Sequence, residues 1–289
     1  MNIAELLKTT TSWFRDRGLD SARLDAELLL AHVLQVERMV LYTSFDRPLA
    51  PDELDAYRAL VKRRGRREPV AYILGEREFY GRPFAVDARV LIPRPDTEVL
   101  IDEVLKRLPA EAEGVVVDYG TGSGAIALTL AAERPGLKLL ALDLSAEALE
   151  VARANAATLE VSDRVGFVRS DGLSRLPERF GGTLLALVAN PPYIREDERA
   201  GLMADVRDHE PAMALFAPDD GLLHYRRIAE ALPWLAPGGW VAVEVGHEQG
   251  EAVQAIFAQA GFTELSLRED LAGVPRVVLG RRPGGPPPA

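Results

Sequence analysis

Apolar positions recur at helical spacing through the first 75 residues and as short strand-length runs through most of the rest. Ile3, Leu6, Leu7, Trp13 and Phe14 fall near one face of a helix, and Leu24, Leu28, Ala31 and Leu34 predict a second stripe after the caps Asp20 and Ser21. Pro51, beside Asp52 and Glu53, opens a third helix with a buried face of Leu54, Tyr57, Leu60 and Val61. Residues 1–75 are therefore expected to form a small all-helical domain. Over 76–92 the character changes: Phe79, Tyr80, Phe84, Val86 and Val90 surround Gly81-Arg82-Pro83, which predicts a β-hairpin linker.

Residues 93–281 read as an α/β domain. Runs at 115–117, 139–142, 165–168, 184–188 and 240–245 alternate with helical segments, predicting a mostly parallel sheet with helices on both faces. Runs at 263–267 and 274–279 are separated only by a turn, so one of them pairs antiparallel. Residues 282–289, the end of RRPGGPPPA, are too rich in proline and glycine to pack and read as a disordered tail.

Composition narrows the class. The chain has 289 residues, 47% apolar and 27% charged, enough to bury a proper core. No uncharged apolar run approaches the roughly 18–20 residues of a membrane span, and the N-terminus lacks a secretory stretch, so a cytoplasmic protein is expected; a monomer is expected as well. There are no cysteines, and His32, His209, His224 and His247 lack ligand spacing, so no metal site is expected. The net charge of −10 is unevenly spread: residues 1–85 carry 14 basic and 13 acidic side chains, which leaves −11 on the remainder. That acidity counts against direct nucleic-acid binding. The basic run Lys62-Arg63-Arg64-Gly65-Arg66-Arg67 reads first as the solvated end of a helix.

Three strand ends carry the candidate chemistry. Val115-Val116-Val117-Asp118-Tyr119 runs into Gly120-Thr121-Gly122-Ser123-Gly124 and a helix, a turn whose glycines let backbone approach a nucleotide-type ligand closely. The spacing fits a dinucleotide as well as S-adenosylmethionine. Asp143, ending the next strand, can accept both hydroxyls of a ribose, and Asp171 before Gly172 can accept from an adenine amino group. The fourth strand ends in Asn190-Pro191-Pro192-Tyr193. Two prolines stiffen that loop and remove backbone donors. The Asn190 side-chain oxygen and the Pro191 carbonyl can then take the two hydrogens of a planar amino group, with Tyr193 stacked on its face.

This order of motifs resembles the class I S-adenosylmethionine-dependent methyltransferases that modify planar amino groups. Further stretches are similar to the bacterial PrmC/HemK family of peptide chain release factor glutamine methyltransferases. They are Glu68-Pro69-Val70-Ala71-Tyr72-Ile73-Leu74-Gly75, Glu78-Phe79-Tyr80-Gly81, Leu91-Ile92-Pro93-Arg94-Pro95-Asp96-Thr97-Glu98, Glu210-Pro211-Ala212, Asp220-Gly221-Leu222, and Glu244-Val245-Gly246 with Gln249-Gly250. The resemblance runs from about residue 5 to residue 281. It implies a Rossmann-like, mostly parallel seven-stranded sheet behind a helical substrate-recognition domain. It also implies S-adenosylmethionine as cofactor and class 1 release factors as protein partners, methylated on the amide nitrogen of the Gly-Gly-Gln glutamine. Gly120, Thr121, Gly122, Ser123, Gly124, Asp143, Asp171, Gly172 and Asn190 would contact the cofactor. Asn190, Pro191, Pro192 and Tyr193 would hold the glutamine, with Asn190, Pro191 and Tyr193 catalytic.

The chain departs from the family at Leu185, often an acid there, and at Gly172, an aromatic in some members. Glu244 reads as structural, and Arg94 and Glu98 read equally as cofactor-entrance residues or helix caps. Competing readings are a DNA or ribosomal RNA amino-group methyltransferase, an NAD-dependent dehydrogenase allowed by the glycine loop alone, and a non-catalytic S-adenosylmethionine-binding adaptor.

Overall fold

A computed structural model describes residues 1–284 and separates them into two compact units: Met1–Glu76 with Met203–His209, and Arg77–Leu202 with Glu210 onward. The first unit holds α1 (Ile3–Arg15), α2 (Ala22–Leu34), α3 (Val40–Thr43), α4 (Pro51–Arg64) and α5 (Val70–Leu74). Helix α1 starts with a capping box. Asn2 Oδ1 accepts from Glu5 N at 2.9 Å, and Glu5 Oε2 accepts from Asn2 N at 3.0 Å. Ile3, Leu6, Leu7 and Phe14 are buried as the periodicity predicts.

The expected face of α2 is corrected. Leu24 is exposed and Leu28 and Leu34 only half-buried, while Ala22, Ala26, Leu29 and Leu30 meet the core together with Asp25 and Glu27. Ser21 donates to Asp25 Oδ1 at 2.8 Å and makes no side-chain bond to a backbone N–H of α2. Helix α4 does begin at Pro51 with Tyr57 buried, but only Tyr57 of its four expected apolar residues is fully covered.

The hairpin β1 (Glu76–Phe79) and β2 (Arg82–Ala85) turns at Tyr80 and Gly81, whose φ angles of +51° and +68° suit a two-residue primed turn. The second unit continues with α6 (Glu98–Arg107), β3 (Gly114–Tyr119), α7 (Ala125–Glu133), β4 (Leu137–Asp143), α8 (Ala146–Thr158), β5 (Val165–Arg169) and β6 (Leu184–Ala189). A short helix α9 (Ala204–His209) belongs to the first unit; α10 (Ala212–Leu215), α11 (Leu223–Ala229), β7 (Leu235–Glu244), α12 (Gly250–Ala260), β8 (Thr263–Glu269) and β9 (Pro275–Arg281) complete the second.

The seven strands are ordered β5-β4-β3-β6-β7-β9-β8, parallel except that β9 runs antiparallel to both β7 and β8. Successive residues alternate faces. Val116, Ala186 and Ala242 pack on one side with Leu100, Ile101 and Leu128, and Val117, Leu187 and Val241 pack on the other with Tyr225, Ile228 and Phe257. Both faces are covered, which is why the strands read as unbroken apolar runs. The chain winds outward one way through β4 and β5 and the other way through β6 and β7. The carboxyl ends of β3 and β6 therefore flank a topological switch point, the usual ligand crevice of open α/β sheets.

Within the first unit Arg64 is only 4% exposed, so the basic run is not uniformly solvated as expected. Its guanidinium donates to Asp25 Oδ2 at 2.7 Å and to the Glu68 carbonyl at 3.1 Å, and pairs with Asp205 of α9 at 2.7 Å. Of the expected tail, residues 285–289 lie outside the described residues. Arg282, also placed there by composition, donates its backbone N–H to the Gly239 carbonyl at 2.8 Å.

Candidate functional site

Strand β3 buries its carboxyl end and delivers Gly120 to Gly124 at the switch point. Gly120, Gly122 and Gly124 have φ angles of +75°, +55° and +85°, a region in which a side chain is strained. A Cβ on Gly120 or Gly122 would meet no protein atom within 4 Å, because both face a cavity of about 320 Å³ that they line. Gly124 has a different reason to be glycine: a Cβ there would stand 2.8 Å from Leu128 Cδ1 and 3.3 Å from Ala152 Cβ, so it serves helix packing and lies outside the cavity lining.

The loop is pinned from beneath. The N–H groups of Gly120 and Thr121 both donate to the Leu142 carbonyl at 2.9 Å, and Asn155 Nδ2 donates to the Ser123 carbonyl at 2.9 Å. Asp118 is fully buried under the loop, accepting from Thr121 Oγ1 at 2.6 Å and from Ala127 N at 3.2 Å. Burial pushes its carboxyl up to about 7, against those two donors and helped by the nearby Asp143 charge.

Asp143 ends β4 and lines the cavity. Gly122 N donates to its Oδ2 and Ser145 N to its Oδ1, each at 2.9 Å, which fixes the carboxylate while each oxygen keeps a lone pair for a ligand hydroxyl. Burial raises its pKa and the backbone donors oppose that rise. Past β5, Asp171 and Gly172 also line the cavity, but the exposed Asp171 carboxylate already pairs with Arg227 Nη1 at 2.7 Å. Tyr119 stands beside Gly172, where a Cβ would lie 3.3 Å from Tyr119 Cε2. With a left-handed φ of +59° at 172, a side chain there would be strained and would also press on the Tyr119 ring. The Tyr119 hydroxyl lies 3.0 Å from His224 Nδ1, and burial lowers the His224 pKa.

After β6, Asn190 and Pro192 line the cavity. Asn190 Nδ2 donates to Thr97 Oγ1 at 3.1 Å, and Thr97 Oγ1 donates to Glu244 Oε2 at 2.5 Å. Glu244, only 2% exposed at the end of β7, has its carboxyl pushed up to about 7 by burial, with Thr97 and Arg276 opposing and Asp96 adding to the rise. Pro191 is buried and falls outside the lining. So does Tyr193, whose ring packs against the core cluster of Val245 and Tyr225 and whose carbonyl accepts from Gln249 Nε2 at 3.1 Å. Burial pushes the Tyr193 phenol up to about 12.

The remaining walls come from the segment after the hairpin, where Arg89, Val90, Leu91 and Arg94 contribute, and from Pro211, Met213 and Phe216 around α10. Arg94 Nη2 donates to the buried Glu210 at 2.5 Å, and Glu210 also accepts from Ile92 N at 3.2 Å, joining those two walls. Glu98 Oε1 accepts from Tyr80 N at 2.9 Å and so ties the hairpin turn to α6.

The cavity thus gathers Gly120, Thr121, Gly122, Ser123, Asp143, Asp171, Gly172, Asn190 and Pro192, and leaves out Gly124, Pro191 and Tyr193. It also holds Thr97, Tyr119 and His224, which sequence reasoning missed. Tyr119 was open to inference from its place between a strand and a glycine loop, and Thr97 from its place in the 91–98 stretch that carries the family resemblance; His224 carried no local signal. Among the described residues no group of three or more His, Cys, Asp or Glu could hold a metal, and no helix is long and apolar enough to cross a membrane.

Comparison with known proteins adds the relatives of this arrangement. Residues 5–75 match the PrmC N-terminal domain model and residues 96–206 the methyltransferase small domain model. A release factor glutamine methyltransferase of Chlorobaculum tepidum is 44% identical over 275 residues, covering 93% of each chain. One of Geobacter sulfurreducens is 42% identical over 281 residues, covering 96% of each. A solved methyltransferase from Pyrococcus furiosus superposes with TM-score 0.51 at 17% identity, covering 71% of this chain and 91% of that one, a likeness of fold alone.

Proposed function

The chain belongs to the release factor glutamine methyltransferase family, and from that membership we propose that it methylates the side-chain amide nitrogen of the Gly-Gly-Gln glutamine in class 1 release factors, with S-adenosylmethionine as donor. The observation that carries the reading is Asn190 standing on the same cavity wall system as the glycine loop and Asp143. A planar acceptor beside a nucleoside-shaped site suits transfer to a planar amide. A Cβ at Gly120 or Gly122 would fill space on the cavity side, which fits a ligand lying close against the backbone.

S-adenosylmethionine supplies a methyl group already activated on a sulfonium, so the protein's work is alignment and exclusion of water. Asp143 would accept the ribose hydroxyls, and Asp171, Gly172 and Tyr119 would flank the adenine. The Asn190 side-chain oxygen accepts from the glutamine amide and aims its nitrogen for in-line attack, while Pro191, off the cavity wall, stiffens the loop that carries it. Positive charge grows on that nitrogen as it attacks, so the Asn190 oxygen binds the transition state more tightly than the neutral amide. The surplus proton, now acidic, leaves to water, and no histidine or carboxylate need act as general base. Tyr193 supports the loop from the core side.

Residues 1–75 are proposed to grip the release factor. Supporting this, Met39, Tyr42 and Phe45 are exposed around α3, an apolar surface for a protein partner. The test is to incubate the protein with S-adenosylmethionine and a purified release factor, then map the modified peptide by mass spectrometry. One added methyl group on the Gly-Gly-Gln glutamine is expected. An unmodified peptide alongside methylated RNA or DNA would replace this reading with a nucleic-acid one.

A further inference from the structure

An asparagine amide has two ends of nearly equal size and opposite hydrogen-bonding character, so its orientation is set only by its neighbours. For Asn190 that neighbour is Thr97, in the 3-10 turn Pro95–Thr97, and behind Thr97 stands Glu244. We propose that Thr97 and Glu244 are positioning residues for methyl transfer, holding the Asn190 amide so that its oxygen, and not its nitrogen, faces the substrate amide. The inference rests on the acceptor role given to Asn190 above.

Proton counting sets the direction of each bond. A threonine hydroxyl has one hydrogen to give, and Thr97 gives it to Glu244 Oε2 at 2.5 Å. Above about pH 7, where Glu244 is ionised, its carboxylate has none to return. Thr97 Oγ1 can then only accept from Asn190, and the Asn190 Nδ2 group fills that role at 3.1 Å. The opposite end of the same amide, Oδ1, is left for the cavity that Asn190 lines. A flipped amide would set an acceptor against the Thr97 lone pairs and a donor against the donors of the substrate amide.

Burial makes this preference firm. Thr97 is 4% and Glu244 2% exposed, so water has little access to exchange roles with either group. The supports converge on adjacent strands: Asn190 follows Ala189 of β6, and Ala189 pairs with Val243 of β7, one residue before Glu244. The Tyr225 hydroxyl fixes the backbone at the same point by donating to the Glu244 carbonyl at 3.0 Å. A buried carboxylate is a costly way to end a strand unless its lack of a hydrogen is what the site uses.

The test compares Thr97→Val, which keeps the shape and removes the hydroxyl, with Thr97→Ser, which restores it. Methyl transfer to a purified release factor is measured together with S-adenosylmethionine affinity by calorimetry. For Thr97→Val, kcat should fall about tenfold or more, the scale of one hydrogen bond, with cofactor affinity held within about twofold. Thr97→Ser should return kcat to within about threefold of wild type. Wild-type turnover in Thr97→Val, a loss confined to cofactor affinity, or a Thr97→Ser variant as slow as Thr97→Val would each overturn the proposal. If Thr97→Val does not fold, Glu244→Gln takes its place. Its amide adds a donor that lets the chain of bonds reverse, so a several-fold loss in kcat at unchanged affinity is expected, and wild-type kcat overturns the proposal. A wild-type protein that leaves the release factor unmodified defeats the underlying reading instead, so the two failures are distinguishable.

Discussion

The helical unit pairs its buried acids with cations, whereas the α/β unit does so for Glu103 and Glu210 and leaves two others, both beside the cavity, without a cation. In the helical unit the buried Asp25 and the half-buried Asp205 both meet the Arg64 guanidinium at 2.7 Å. In the α/β unit Asp118 and Glu244 are buried as deeply, yet among the described residues neither forms an ion pair; hydroxyls and a backbone N–H hold them instead. Both stand next to the cavity, one under the glycine loop and one behind Asn190. Charge compensated by charge fastens a fold, whereas carboxylates left with only weak donors keep an unusual affinity for protons and, once ionised, accept only. The difference separates a structural use of buried acids from a functional one.

Breaking the first pattern should have the largest effect. Arg64→Ala leaves Asp25 and Asp205 without their shared cation, and a loss of about 3–5 kcal/mol in unfolding free energy is expected from urea titration. A loss below about 1 kcal/mol would show that the cluster does not fasten the unit.

Removing the acceptor in the second pattern should cost rate and spare the fold. Asn190→Ala is expected to slow transfer about 10²-fold or more, the scale for one preorganised polar contact, with cofactor affinity within a few-fold of wild type. Near-normal turnover would take Asn190 out of the mechanism.

The proton affinity of the second pattern gives a pH signature that the first lacks. Asp118 and Glu244 both have folded pKa values raised to about 7 by burial. Between the ordinary carboxylate range and about 7 the folded protein keeps protons that the unfolded chain has lost, so stability is full at the acid side and falls as pH rises. The groups facing Glu244 are Thr97, Arg276, Asp96 and Asn190, with Arg276 restraining the shift and Asp96 enlarging it. Urea midpoints followed across that window should show each acid adding a slope of up to about 1.4 kcal/mol per pH unit. Asp118→Asn and Glu244→Gln should each remove their share. Parallel curves for wild type and variants would mean that these acids titrate normally.

The same contrast explains what could be read from the sequence. The sheet was legible because strands covered on both faces are written as unbroken apolar runs, and the glycine loop because three left-handed turns in five residues require glycine. Periodicity could not choose a face for α2 because Arg23, Asp25 and Glu27 are scattered round it among apolar residues, and because Asp25 and Glu27 invert the rule that charges point outward. The return of α9 to the helical unit depends on Asp205 meeting Arg64 from 141 positions away, which no local pattern encodes. Thr97 and Glu244 were invisible as partners of Asn190 for the same reason. Tyr193 shows the limit of motif chemistry: its aromatic character was legible, but only packing against Val245 and Tyr225 decides which way the ring goes.

The smallest effect comes from an acid that follows neither pattern. Asp171 is exposed on the cavity rim and pairs with the similarly exposed Arg227 at 2.7 Å, so solvent screens the pair and its contribution to stability should be about 0–1 kcal/mol. If the carboxylate also accepts from the adenine amino group, Asp171→Asn should weaken S-adenosylmethionine binding by a few-fold, since the amide keeps one acceptor oxygen. Arg227→Ala breaks the same ion pair but leaves both carboxylate oxygens to the ligand, so cofactor affinity should hold or rise. Calorimetric titration of the two variants separates the roles: equal losses would make the ion pair itself the binding element, and loss only in Asp171→Asn would assign the contact to the carboxylate.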